Sequence, residues 1–529
     1  MDSKCTLAVC TNTQAYYTKT DFFIAGGEEN AIPLQEYFVH ACVRCITAST
    51  PDTASKELSG SASQLQRYGL KVLRQFLASR FASGLSSFHL ENLLVDRLWR
   101  SLGGQDPHIQ VLLLDVIYDT LKLQDSSLAE RPTSPMSERW RTSVDKSRVS
   151  RQSLSMGDRP LPTALPPQLL KCLLSGLSSP SSRQVLDSWV SFLGACLPLY
   201  SSSIFQVVIP LVETLCQQVD MTFSNLLETF QTNMSGSTPK VDSPESTLIY
   251  LLNGLEQVLA RAHDQILIDE AKIQMMKSPD QPQSLFGSMV SGVFQSDSPQ
   301  GRSATANDRL TVHLAIQDAV RICYKIWSWG EGDDASNIDT ASSASFNYTS
   351  LRMRNRARRL LEHLFVAEAL ECLETVIDIW NGASTESEQT VAFNFLAALE
   401  ASRPRQTIPS LFNAIYSRTN PGALEDSRKS TMTISLRDID LVTFLVHYAR
   451  SLDDDAMDEI WQDCITFIKD ILANPFPHRQ TLPGLLEFAA ILGEKVDNTN
   501  FGEQRKMRRE LGVSCVLSSN PIHSIANTE

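Results

Sequence analysis

At 529 residues, the chain has room for about two to four domains or for one long array of repeats. Its hydrophobic content of 42% supports a sizeable core, and its net charge of −13 excludes the global positive field expected of a nucleic-acid binder, although local basic patches stay open. The 11 cysteines, an odd number scattered among apolar residues, fit buried thiols in a reducing compartment rather than a disulfide framework.

The N-terminal "MDSKCTLAVCTNTQ" lacks the basic-then-apolar order of a signal peptide, so a cytosolic chain is expected. Residues 1–124 read as a helical-hairpin array, because apolar residues recur at three- and four-residue steps. Cys42 and Cys45, with His40 nearby, form the only C-x-x-C. A structural zinc site normally needs a second ligand pair, and none is suitably spaced, so two ordinary helical cysteines are expected. Tyr68, Val72, Phe76 and Leu77 mark one helix, "HLENLLVDRLWRSL" from His89 another, and "HIQVLLLDVIYDTLK" from His108 a third. Between the last two, "GGQDP" supplies glycine to stop one helix and Pro107 to begin the next. "DPHIQV" (Asp106–Val111) partly matches the second-helix start of HEAT repeats, with Ile109 and Gln110 at the usual aliphatic and arginine places. An unrelated helical hairpin is the alternative.

Residues 125–165, rich in Ser, Pro and Arg, read as a disordered linker, with arginines upstream of Ser143 and Ser153 that would suit a basophilic kinase. Helical hairpins resume over 166–233. The uncharged Ser188–Val212 is the best membrane-span candidate, but Pro198, Ser201–Ser203, Gln206 and Pro210 divide it into pieces too short to span. After a short linker at 234–244 comes one long amphipathic helix over 245–276. Leu248, Leu252, Leu255, Leu259, Ala262, Ile266, Ile273 and Met276 keep a heptad there, as a coiled coil would, while Ile249, Leu251, Val258, Leu267 and Ile268 widen the stripe, as a solenoid core would.

Residues 277–307 read as a flexible linker carrying an apolar docking segment, "SLFGSMVSGVF" (284–294). Its apolar residues fall in three pairs, Leu285 with Phe286, Met289 with Val290, and Val293 with Phe294, which would share one side of a helix. Gly287 and Gly292 oppose that helix by about 1 kcal/mol each, so it should form only when docked, on this chain's own body, in a partner groove or at a lipid interface.

Residues 308–511 read as a further helical-repeat region, and 512–529 as an irregular tail. Within the repeat region, "SLRMRNRARRLLEHLF" is amphipathic, with Arg352, Arg356 and Arg359 in one stripe turned away from Met353, Ala357, Leu360 and Leu364. That stripe, and a second cluster of Arg505, Lys506, Arg508 and Arg509, has three readings: a solvated face, ion pairs with neighbouring helices, or contact with an anionic lipid or a phosphoprotein. Gly382 is expected to close the arginine-bearing helix, and Thr385 with Glu388 to form a capping box for the next. No zinc-protease, phosphate-loop or nucleophile-elbow pattern occurs, so no catalytic residue, metal or cofactor is expected. The fold expected is all-α: an irregular α-solenoid of HEAT/armadillo-like helical hairpins with disordered inserted linkers, a single large bundle being the alternative.

Three passages, "NDRLTVHLAIQDAVRICYKIWSWG", "SASFNYTSLRMRNRARRLLEHLFVAEALECLETVIDIW" and "EKVDNTNFGEQRKMRREL", resemble the interior of fungal Dopey-family proteins, and "SLFGSMVSGVF" resembles a segment just upstream. The resemblance covers about 245–511. It implies a non-enzymatic cytosolic scaffold in traffic between endosomes and the Golgi. It also implies work beside an Arf-exchange-factor-like scaffold and a phospholipid-translocating ATPase, and phosphoinositide-dependent membrane attachment. Dopey proteins are several times longer, and both ends of this chain depart from their pattern, so a fragment or a truncated gene model is expected. The rival reading is a helical-repeat protein binding RNA or DNA through the Arg352–Arg359 helix.

Overall fold

The computed structural model describes residues 16–18, 31–48, 56–80, 82–104, 106–129, 165–232, 244–276, 304–329, 340–498, 506–510 and 512. The chain divides into two compact units, Met1–Ile204 and Phe205–Glu529.

In the first unit, a short antiparallel pair, β1 (Tyr16–Thr18) and β2 (Ala31–Pro33), precedes the helices. These are α1 (Leu34–Thr47), α2 (Lys56–Leu77), α3 (Leu90–Ser101), α4 (Pro107–Ala129), α5 (Leu169–Ser178) and α6 (Leu186–Cys196). Pro107 opens α4 as the sequence predicts, and the Asp106 carboxylate takes the His108 N–H at 3.1 Å and pairs with Arg67 at 2.6 Å. Helix α2 packs on α1 and α4, α3 on α4 and α5, and α6 on α4 and α5. Packing therefore runs between sequence neighbours and next-but-one neighbours, as in the stacking of a helical-repeat solenoid. Leu70, Leu73, Leu94, Leu98, Leu113 and Ile117 are buried between these layers, each contributing about 1.5–3 kcal/mol. Gly176 permits a close approach: a Cβ there would collide with the Trp189 ring.

The second unit holds α7 (Ile204–Thr232), α8 (Pro244–Met276), α9 (Ala304–Trp327), α10 (Thr340–Ala367), α11 (Ala369–Asn381) and α12 (Glu386–Ala398). It continues with α13 (Pro404–Thr419), α14 (Asp438–Ser451), α15 (Met457–Ala473) and α16 (Leu482–Asn498). The same rule runs through it. Helix α9 packs on α8, α10 and α11, α11 on α13, α13 on α14 and α15, and α14 and α15 on α16. Thr385 and Glu388 make the predicted capping box at the start of α12.

Several boundaries differ from the sequence reading. Helix α4 runs on to Ala129, past the expected linker start at 125, and α9 begins at Ala304, inside the segment assigned to 277–307. Gly382 closes α11, not the arginine-bearing helix, which ends at Ala367. Glu368 leaves the helical region there (φ −142°, ψ 68°), and its carboxylate turns into a buried cluster of cations. In α8, Leu248, Leu252, Leu255, Leu259, Ala262 and Ile266 are all buried against this chain's own α9 and α10. Leu267 and Ile268, expected to widen that stripe, stand exposed. The docking segment 284–294 lies outside the described residues, and with it all six of its apolar residues: Leu285, Phe286, Met289, Val290, Val293 and Phe294. Most of each predicted linker and of the tail lies outside them too.

Candidate functional site

The arginines of α10 are mostly held by the chain itself. Glu245 on α8 accepts from Thr349 at 2.8 Å and pairs with the half-exposed Arg352 at 3.3 Å. One turn on, Arg356 is largely buried, donating to Asn253 Oδ1 at 3.0 and 2.8 Å and to Glu256 at 2.5 Å. Glu256 also meets His363. Arg354 lies over the Trp327 ring at 5.3 Å, and Arg358 faces Glu362 at 3.7 Å. Arg359 is exposed and, among the described residues, makes no ion pair. The three-residue stripe thus splits: one arginine half committed, one buried in a pair, one facing water. In the second cluster, Arg508 pairs with Asp497, Lys506 and Arg509 are exposed, and Arg505 lies outside the described residues.

The most concentrated chemistry is one that the sequence reading missed. His313 on α9 is 2% exposed, with Nδ1 3.2 Å from Glu371 and Nε2 3.4 Å from Glu368. His263 on α8 approaches the same Glu368 oxygen at 3.5 Å, and Arg309 lies 3.9 Å from its other oxygen and 3.5 Å from Glu270. Burial alone would lower the His313 pKa, but hydrogen bonds and charge from Glu368 and Glu371 overcome it and raise it to about 9. Burial likewise pushes Glu368 up, yet His263, His313 and Arg309 outweigh it and hold the carboxyl at about 2. The cluster is a buried, charged joint where α8, α9 and α11 meet.

That joint also fastens the long connection between α13 and α14. Thr431 donates its N–H and its hydroxyl to Glu371 at 3.0 and 2.7 Å, and the Ser430 hydroxyl accepts the N–H of Met432, whose φ is 51°. Arg418 then forms a two-pronged pair with Glu374 at 2.7 and 3.1 Å and donates to the Leu436 carbonyl at 2.9 Å. Both side chains of that pair are buried. In this joint the carboxylates of Glu368, Glu371 and Glu374 are each engaged by fixed donors or cations. Glu368 and Glu371 share a helix turn, but His313 and Thr431 lie far off in sequence, so only the fold brings these groups together.

Cys42 and Cys45 are free thiols on α1, and burial with the neighbouring Cys45 pushes Cys42 up to about 11. Among the described residues, no group of three metal-ligating side chains forms, and no helix is long and apolar enough to cross a membrane.

Comparison with known proteins fits this frame. A family model described as the DOP1 TPR domain matches residues 87–260, and one described as DOP1 C-terminal matches 444–517. "Protein dop1" of Emericella nidulans is 46% identical over 534 residues, covering 98% of this chain. This chain belongs to the Dopey family. "Protein DOP1" of Saccharomyces cerevisiae is 27% identical over 354 residues, covering 64% of this chain. The chain spans only 28% and 20% of the lengths of these two relatives. Similarity to Dopey proteins therefore extends well beyond the 245–511 region that the quoted passages pointed to. Among solved structures, a circular tandem repeat protein matches 93% of this chain and 96% of its own at 9% identity, with a TM-score of 0.31. The fold assignment rests on the helix packing above, not on that likeness.

Proposed function

We propose that this Dopey chain is a segment of a non-enzymatic scaffold in protein transport between endosomes and the Golgi, peripheral to their membranes. It would work beside an Arf-exchange-factor-like scaffold and a phospholipid-translocating ATPase, with phosphoinositides aiding attachment. The observation that carries this reading is the family membership, with 46% identity running along nearly all of the chain. A stack of helical hairpins held by fixed ion pairs supports it, since such an array presents extended surfaces to other proteins. On α10, Arg359 faces water and Arg352 is half exposed, so both are available to an anionic surface.

The test is affinity capture of the tagged chain from cells, paired with flotation on vesicles that contain phosphoinositides. Recovery of trafficking scaffolds and flotation are expected. Capture of ribonucleoprotein alone, with no flotation in dilute salt, would sink the proposal.

A further inference from the structure

Between α13 and α15, the second unit holds an open cavity of about 470 Å³. Its floor is aromatic. Phe412 and Phe467 stack with ring centroids 3.8 Å apart, and Tyr416 meets Phe467 edge-on at 5.3 Å. On the α15 side, Asp463 and Asp470 line the cavity about two helical turns apart, so they share one face. Both are exposed, and neither pairs with a cation among the described residues.

Two further polar atoms in this wall have no partner among the described residues. One is Nδ1 of His478, a residue only 2% exposed, and the other is the Tyr416 hydroxyl. Burial, opposed only by Asp438, lowers the His478 pKa, so the ring is neutral near pH 7 and one nitrogen can accept. Burial and the nearby Asp470 push Tyr416 up to about 12. The cavity therefore offers a surplus of acceptors around an apolar floor. Arg428, from the turn after α13, also lines it and pairs with neither carboxylate.

We propose that this cavity binds an arginine side chain presented by a partner polypeptide. The three methylenes of the arginine stem lie on the aromatic floor, as such stems do on apolar surface. The guanidinium, planar and forked, pairs in two-pronged fashion with a carboxylate of the α15 face, which a compact ammonium does less completely. An apolar plug would leave the His478 and Tyr416 atoms unsatisfied, and an acidic peptide would meet two like charges. Arg428 makes the cavity unfavourable to a dense basic tract, because a second cation would face it. An isolated arginine is the occupant that fits.

The test uses the full chain and a fluorescein-labelled peptide, Gly-Ser-Ala-Arg-Ala-Ser-Gly, titrated by fluorescence anisotropy. The neutral citrulline counterpart and a glutamate version serve as comparisons. Saturable binding of the arginine peptide is expected, about tenfold weaker for citrulline and about tenfold weaker in the Asp463→Asn/Asp470→Asn variant. Arg428→Ala should keep or improve it. Equal binding of arginine and citrulline, no saturation, or undiminished binding in the double variant would each overturn the proposal. So would preference for the glutamate peptide that disappears in Arg428→Ala, because it would assign the cavity to an acidic partner. If the double variant melts early, Asp470→Asn alone, with N-acetylarginine amide as competitor, decides. No trafficking partner enters this experiment, so its failure leaves the scaffold reading where it stood.

Discussion

The two units solve the same packing problem with different polar chemistry. In the first, the buried Gln110 side chain is tied by neutral contacts: the Trp189 indole donates to its Oε1 at 3.0 Å, and nearby the Ser181 hydroxyl donates to the Leu102 carbonyl at 2.7 Å. Ion pairs such as Arg67–Asp106 sit nearer the surface. Gln110 is fully buried and ties α4 to α6 without a charge. The second unit uses ions in the equivalent role, at His313–Glu368–Glu371 and at Arg418–Glu374. A neutral amide costs little to bury once bonded and does not titrate. Buried ions are strong only as a set, and removing one leaves the other stranded. The first unit should therefore respond to changes of shape, and the second to changes of charge.

The sharpest way to break this contrast is Glu374→Ala, which strands the Arg418 guanidinium. About 3–5 kcal/mol of destabilisation is expected, read from denaturant melts and from hydrogen exchange in α11 and α13. The paired replacement Arg418→Met/Glu374→Leu should restore most of it. A single variant that melts like the parent would show that the pair is not a buried charge. Next comes Gly176→Ala in the first unit, where the new methyl meets the Trp189 ring. A loss of about 1–3 kcal/mol is expected, with altered tryptophan emission.

A pH series separates the units further. His313 is held at about 9 against an ordinary 6.5, so its contribution is full below 6.5 and fades as pH rises toward 9. Glu368 is held at about 2 against 4.5, so its contribution is full above 4.5 and fades as pH falls toward 2. For this cluster, stability is greatest between those ordinary values. Urea melts at pH 5.5, 7.5 and 9 should show a decline that His313→Gln flattens. The smallest effect belongs to Arg359→Ala, expected within about 0.5 kcal/mol of the parent because the side chain faces water. A large loss in a thermal melt would contradict its exposed placement.

Much of the fold was legible in the sequence. Gly-then-Pro punctuation placed the α3–α4 turn, and Thr385 with Glu388 capped α12, because both signals are local. The break at Glu368 was not legible, since the apolar spacing runs straight through it and the cations that draw the carboxylate inward come from α8 and α9. The arginine stripe was found by periodicity, but its division was not. Arg356 is taken up by Asn253 and Glu256 on another helix, and helical spacing says nothing of what stands opposite.

Because the main helix contacts among the described residues join elements close along the chain, damage in either stack should stay local. A lesion in α16 removes support from α14 and α15 and leaves α8 to α11 with their own contacts intact. Loss of structure should then advance from hairpin to hairpin, like a zip opened from one end. Amide protection should be graded along the second unit rather than uniform, and highest around the ion joint that ties α8, α9 and α11.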